Sequence, residues 1–164
     1  MRQRRTAKSS RWLHLAAAVL PVAGVVMIGQ RATLPNLTSW YMGLEKPGFN
    51  PPNWIFAPVW TLLYALMAFA VWRILRHRST KGDKALALLL FYLQLGLNAL
   101  WSWLFFGFHN PLAGLLDIIP QWLLILATIN RFYRLDRLAG LCLTPLALWV
   151  AFAALLNFEI WRLN

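Results

Sequence analysis

Ten tryptophans in 164 residues, with a few amides among them, are the side chains here best suited to do chemistry. Trp60 and Tyr64 stand four apart, so on a helix they share a face. Gln94, Asn98 and Trp101 recur at i, i+4 and i+7, and Trp149, Ala153 and Asn157 at i, i+4 and i+8, each one helical stripe. Asp117 and Gln121 make a shorter pair, with Pro120 placed to kink the backbone between them. Flat rings with a few polar tips, and an alanine leaving room between them, suit a planar apolar ligand. The same pattern also serves indoles that only pack helix on helix. For Gln94, Gln121 and Asn157, interhelical hydrogen bonding that fastens the helices is the favoured reading. Asp117 lies about 9 Å along a helix axis from the turn at Asn110-Pro111. It is expected near the interface, capping helices or gating a cavity.

Other chemistries lack their residues. His14, His77 and His109 fall on separate segments with no ligand spacing, so no dedicated metal or haem-ligand site is expected. Cys142 is alone in an apolar stretch and reads as packing. No phosphate-cradling glycine loop, nucleophile elbow or acid–base pair is visible. Glu159 and Arg162, three apart, read as a surface pair.

The elements that must carry these stripes follow from composition. Apolar residues make up 60% of the chain and charged residues only 13%, against about 25% charged in soluble domains. Mean hydropathy is +0.54. One soluble core of this size cannot enclose so much apolar side chain, so the fold class is an all-α membrane protein. Crossing the hydrocarbon takes about 20 residues of helix. The runs free of lysine and arginine, divided at His109-Asn110-Pro111, give five transmembrane helices at roughly 12–30, 54–74, 85–107, 112–131 and 138–161, in a single domain. A cleaved leader over 1–32 fits less well, because the apolar run exceeds the usual core of such leaders (about 7–15 residues).

Net charge is +11, yet nucleic acid is not the expected partner. The basic residues do not form a face. Thirteen of the sixteen fall in the tail 1–11, the loop between the second and third helices, and the loop between the fourth and fifth. That bias puts the N-terminus and these loops in the cytoplasm. It does not distinguish an inner from an outer membrane. Residues 31–53 form the one sizeable loop. Four prolines (47, 51, 52 and 58) in and just after it imply a stiff lid over a pocket mouth. An interfacial aromatic belt also accounts for Trp40, Tyr41 and Trp54, but a belt needs no prolines, so the lid is the favoured reading.

Residues 40–64, WYMGLEKPGFNPPNWIFAPVWTLLY, resemble the signature of the TspO/translocator protein family, also called tryptophan-rich sensory proteins or peripheral-type benzodiazepine receptors. The likeness continues through QLGLNALWSWLFFG (94–107), Asp117 and LALWVAFAALLNFEIWRLN (146–164). The resemblance implies a five-helix bundle, usually a homodimer, with a cavity under the first loop. It implies binding of porphyrins such as protoporphyrin IX and haem as ligands, without a required cofactor or metal, and of sterols or benzodiazepine-type ligands in some members. It places the ligand-binding positions on Pro51, Phe56, Trp60, Tyr64, Asn98, Trp101, Trp149, Ala153 and Leu156. Arg31 and Lys46 would meet porphyrin propionates.

The implied role is a receptor or carrier that regulates or transports porphyrin. One alternative is light-dependent oxidative porphyrin degradation, with Trp60 and Trp149 as the reacting partners and no other catalytic residue. Another is a membrane scaffold, for which Ala147 and Ala151 would permit close helix contact. Two departures from the family bear on the site. Phe158 replaces a tyrosine in the sterol motif of Leu156, Phe158 and Arg162, and Ala113 stands where the family has a tryptophan, which would loosen a pocket wall.

Overall fold

A computed structural model describes the backbone of residues 2–164 and the side chains of residues 12–80 and 82–164. Six α-helices follow in order: α1 (Arg2–Leu37), α2 (Asn53–Arg76), α3 (Lys81–Ser102), α4 (Pro111–Leu135), α5 (Arg137–Cys142) and α6 (Thr144–Leu163). Five helical segments are long and apolar enough to cross a membrane, the last being α5 and α6 together. The chain is therefore an integral, multi-pass membrane protein with a five-helix bundle. Leu62, Leu116, Leu123 and Leu148 are each more than half exposed along these segments, which suits lipid and not water.

The first helix ends later than its hydropathy suggests. Arg31 marks where the apolar run stops, but α1 continues to Leu37. Leaving hydrocarbon does not break a backbone hydrogen-bond ladder. Thr33 and Asn36 also donate back to the carbonyls of Gly29 and Ala32, at 3.0 and 2.9 Å. Pro35 lacks the N–H that would reach the Arg31 carbonyl, a loss tolerated near water. The loop expected over 31–53 thus shrinks to the stretch between α1 and α2.

Local chemistry sets the remaining ends. The Thr80 hydroxyl accepts from the Asp83 amide to cap α3, and the Asn110 side chain accepts from Ala113 to cap α4. Lys84 crosses back to α2, donating to the carbonyls of Leu75 and His77 at its C-terminus. Beyond Ser102, α3 widens into a π-helical turn, Trp103–Gly107, closed by Phe108 N–H on the Trp103 carbonyl at 2.7 Å. His109 then adopts the left-handed region (φ 53°) and the chain reverses. The expected single helix over 138–161 is broken at Leu143, just before Pro145.

Helices α3 and α4 are closely packed, with the rings of Phe91 and Phe132 stacked 5.8 Å apart in a core that includes Met67, Leu95, Ile125 and Leu146. Where α5 folds back on α4, a Cβ at Gly140 would sit 2.7 Å from the Tyr133 backbone, so only glycine fits. The Trp122 indole donates to the Ala147 carbonyl at 3.0 Å, joining α4 to α6. Ala147 is buried inside the bundle, so of the pair read from Ala147 and Ala151 only Ala151 faces outward.

Candidate functional site

One end of the bundle encloses a cavity of about 440 Å³ walled by α1, α2, α3 with its π turn, and α6. Helical spacing delivers its aromatic lining. Phe56, Trp60 and Tyr64 descend one face of α2, and the Trp60 and Tyr64 rings stack at 5.3 Å. Trp101 stacks on Phe105 at 5.1 Å, their planes 17° apart. From α6, Trp149 meets Phe56 edge-on at 5.8 Å, while Ala153 and Leu156 complete the wall. The π turn matters here, because the wider winding brings both Phe105 and Phe106 to the lining.

Two pairs of polar groups in this wall are committed to each other. The Tyr64 hydroxyl donates to Asn98 Oδ1 at 2.7 Å, tying α2 to α3. Trp101 donates to Asn157 Oδ1 at 3.0 Å, and Asn157 Nδ2 donates to the Pro111 carbonyl at 2.7 Å. One amide thereby links α3, α6 and the start of α4, the fastening role expected for it. Thr33 and Thr61 turn their hydroxyl protons to their own helices. Among the described residues lining the cavity there is no charged side chain, no histidine, no cysteine and no methionine.

Above the cavity lies the shortened loop. A 3-10 turn at Tyr41–Gly43 presents Tyr41, 4% exposed, to the cavity, and its hydroxyl donates to Asn50 at 3.1 Å. Burial pushes the Tyr41 phenol above its ordinary value, with the Asn50 bond opposing. Trp40 stacks on His109 at 4.7 Å, and His109 bonds Asn36 at 2.8 Å. Trp40 and Tyr41 therefore anchor the loop, whereas Trp54, 73% exposed, has the outward placement a belt requires. The far side of the loop is held by Asn164, whose side chain accepts from the Glu45 amide and donates to the Glu45 carbonyl, both at 3.0 Å. Phe49 packs against Phe152. The loop is thus tied at both ends and contributes Tyr41 to the cavity lining.

Eight of the nine expected positions line the cavity: Phe56, Trp60, Tyr64, Asn98, Trp101, Trp149, Ala153 and Leu156. Pro51 does not; it stays within the cover, where its carbonyl accepts from Asn50. Lys46 folds onto the loop itself, donating to the Leu44 carbonyl at 2.8 Å with its ammonium over the Tyr41 ring. Asp117 is buried at 7% exposure, lines no part of the cavity, and its Oδ2 has no partner among the described residues. Gln94 does not fasten the bundle, since neither of its side-chain polar atoms has a partner among the described residues, and Gln121 Nε2 is likewise without one there. Ala113 is not in the cavity wall. The three sterol-motif positions diverge: Leu156 lines the cavity, Phe158 is exposed, and Arg162 pairs with Glu159 at 2.6 Å.

Sequence reasoning missed the α1 wall of Val26, Gly29, Gln30, Thr33, Leu34 and Leu37. Gly29 and Thr33, small and four apart, were the available signal.

Comparison with known proteins places this architecture. Residues 17–162 match the model of the TspO/MBR family. The tryptophan-rich protein TspO of Archaeoglobus fulgidus is 43% identical over 152 residues, covering 93% of this chain and 97% of that protein. The tryptophan-rich sensory protein of Cereibacter sphaeroides is 39% identical over 125 residues, covering 76% and 77%. The human translocator protein is 33% identical over 154 residues, covering 93% and 91%.

Proposed function

This chain belongs to the TspO/MBR family, and from that premise we propose that it is a membrane receptor or carrier of tetrapyrroles such as protoporphyrin IX, regulating or transporting them. The observation that carries this reading is the convergence of Trp60, Trp101 and Trp149 from three helices on one apolar cavity. Stacked ring pairs, with polar pairs at Tyr64–Asn98 and Trp101–Asn157 between them, suit a flat macrocycle, and the cavity volume falls in the range of small-molecule sites. The cover on Tyr41 closes over the bound ring. Propionates stay at the mouth, because the lining holds no cation and Lys46 is turned to the loop carbonyls.

Titrating the protein in micelles with protoporphyrin IX and following tryptophan quenching tests this. The double substitution Trp60→Ala and Trp149→Ala is expected to weaken binding at least tenfold. Unchanged affinity in a folded double variant rejects the cavity as the site.

A second copy of the chain is the proposed partner along α3. Leu86, Leu89, Leu93, Gly96, Leu100 and Trp103 form one outward stripe, and Gly96 has open space where a Cβ would point. A small residue in such a stripe lets two helices approach closely in lipid. Gly96→Leu is expected to shift the protein from dimer to monomer in light scattering; a dimer fraction equal to wild type refutes this interface.

A further inference from the structure

The lining distinguishes between a macrocycle and its iron chelate. Ferric haem differs from the free base only at the centre of the ring. There the metal carries one net positive charge over the dianionic macrocycle and has two axial positions to fill. Proteins meet those needs with a histidine, cysteine, methionine or tyrosinate ligand. None of the first three is among the described residues lining this cavity, and no carboxylate stands there to offset the charge.

The two tyrosines of the lining are held as neutral phenols. The Tyr64 proton is spent on Asn98 Oδ1 at 2.7 Å, and the Tyr41 proton on Asn50 Oδ1 at 3.1 Å. His109 stacks on Trp40 and bonds Asn36 outside the cavity lining. Haem entering between the indoles would lose its axial water and gain no ligand or counter-charge in return. Burying such a charge without a partner is strongly unfavourable. The free base has a neutral centre and loses nothing comparable. Its propionates are the same as those of haem, so their contribution cancels in the comparison.

We infer that this cavity selects the metal-free tetrapyrrole and discriminates against haem. The inference rests on the tetrapyrrole reading above and refines it to one class of ligand. The full chain in lipid nanodiscs would be titrated in parallel with protoporphyrin IX and with ferric haem, reading tryptophan quenching for affinity and the Soret band for iron ligation. Protoporphyrin IX is expected to bind at least fivefold more tightly, and any bound haem to show no spectrum of axial ligation by a side chain. A smaller ratio, tighter haem binding, or a low-spin haem spectrum overturns the selectivity while leaving tetrapyrrole binding intact. Failure of both compounds to bind overturns the tetrapyrrole reading, and the selectivity with it.

Discussion

Asn157 accepts from the Trp101 indole and donates to the Pro111 carbonyl, whereas Gln94, equally buried at 1% exposure, has among the described residues a partner for neither polar side-chain atom. Both are amides on helical stripes, and spacing alone treats them alike. An amide contributes to stability only when a partner stands at the right place on a neighbouring helix; without one, its desolvation costs about 1–3 kcal/mol. Asn157 fastens three segments, while Gln94 is a burden on the interior packing. Replacing Gln94 by methionine, of similar volume, is therefore expected to stabilise the protein by about 1 kcal/mol in thermal or denaturant unfolding in detergent. A clear loss of stability in that variant shows that the amide is in fact engaged. Tyr64 is the opposite case, since its hydroxyl reaches Asn98 at 2.7 Å from a neighbouring helix.

Helix ends in this protein are decided by hydrogen bonds, not by hydropathy. Helix α1 outruns its apolar run because nothing in Arg31 or the residues after it ends the ladder. The π turn after α3 adds lining that an ordinary helix end would aim elsewhere. At the opposite end of the bundle, Asp136 closes the α4–α5 turn by accepting from the Ala139 amide while pairing with Arg73 of α2 at 2.7 Å. Burial opposes its ionisation, but the Arg73 bond, the backbone amides and the guanidinium charge together hold its carboxyl below the ordinary 3.8. The folded state thus binds the Asp136 proton less readily than the unfolded chain. The stability from this group is complete above about pH 4 and is lost as pH falls through the lowered folded value. The unfolding temperature should drop on acidification below about pH 4, and Arg73→Gln should flatten that drop. An Arg73→Gln profile superimposable on wild type would rule out the pair as its source.

At the scale of the whole molecule, distant stretches of chain meet in the cover of the cavity. Asn164 grips the Glu45 backbone through two hydrogen bonds, and Trp40 rests on His109 at the α3–α4 turn. These contacts hold a proline-stiffened loop closed over a site made by four helices. Asn164→Ala removes the grip without touching the lining. It is expected to speed protoporphyrin IX dissociation several-fold in stopped-flow quenching, with little change in thermal stability, because exposed backbone contacts of this kind are weak. Dissociation at the wild-type rate places the barrier elsewhere than the cover.

The number of spans, their approximate centres and most of the aromatic lining were legible in the chain itself. These follow from local rules: a lipid crossing needs about 20 apolar residues, and a 3.6-residue period assigns Trp60 and Tyr64 to one face whatever lies opposite, while Phe56 came only from the family resemblance. Pro51, placed at the site by the family resemblance, stands outside the cavity lining, since a loop's sequence does not tell which side of it faces a cavity. The α1 wall, the π turn, the partner of Asn157 and the isolation of Gln94 and Asp117 waited for the fold. Each depends on the register between helices that are remote in sequence, and a hydrogen bond or a cavity wall exists only once that register is fixed.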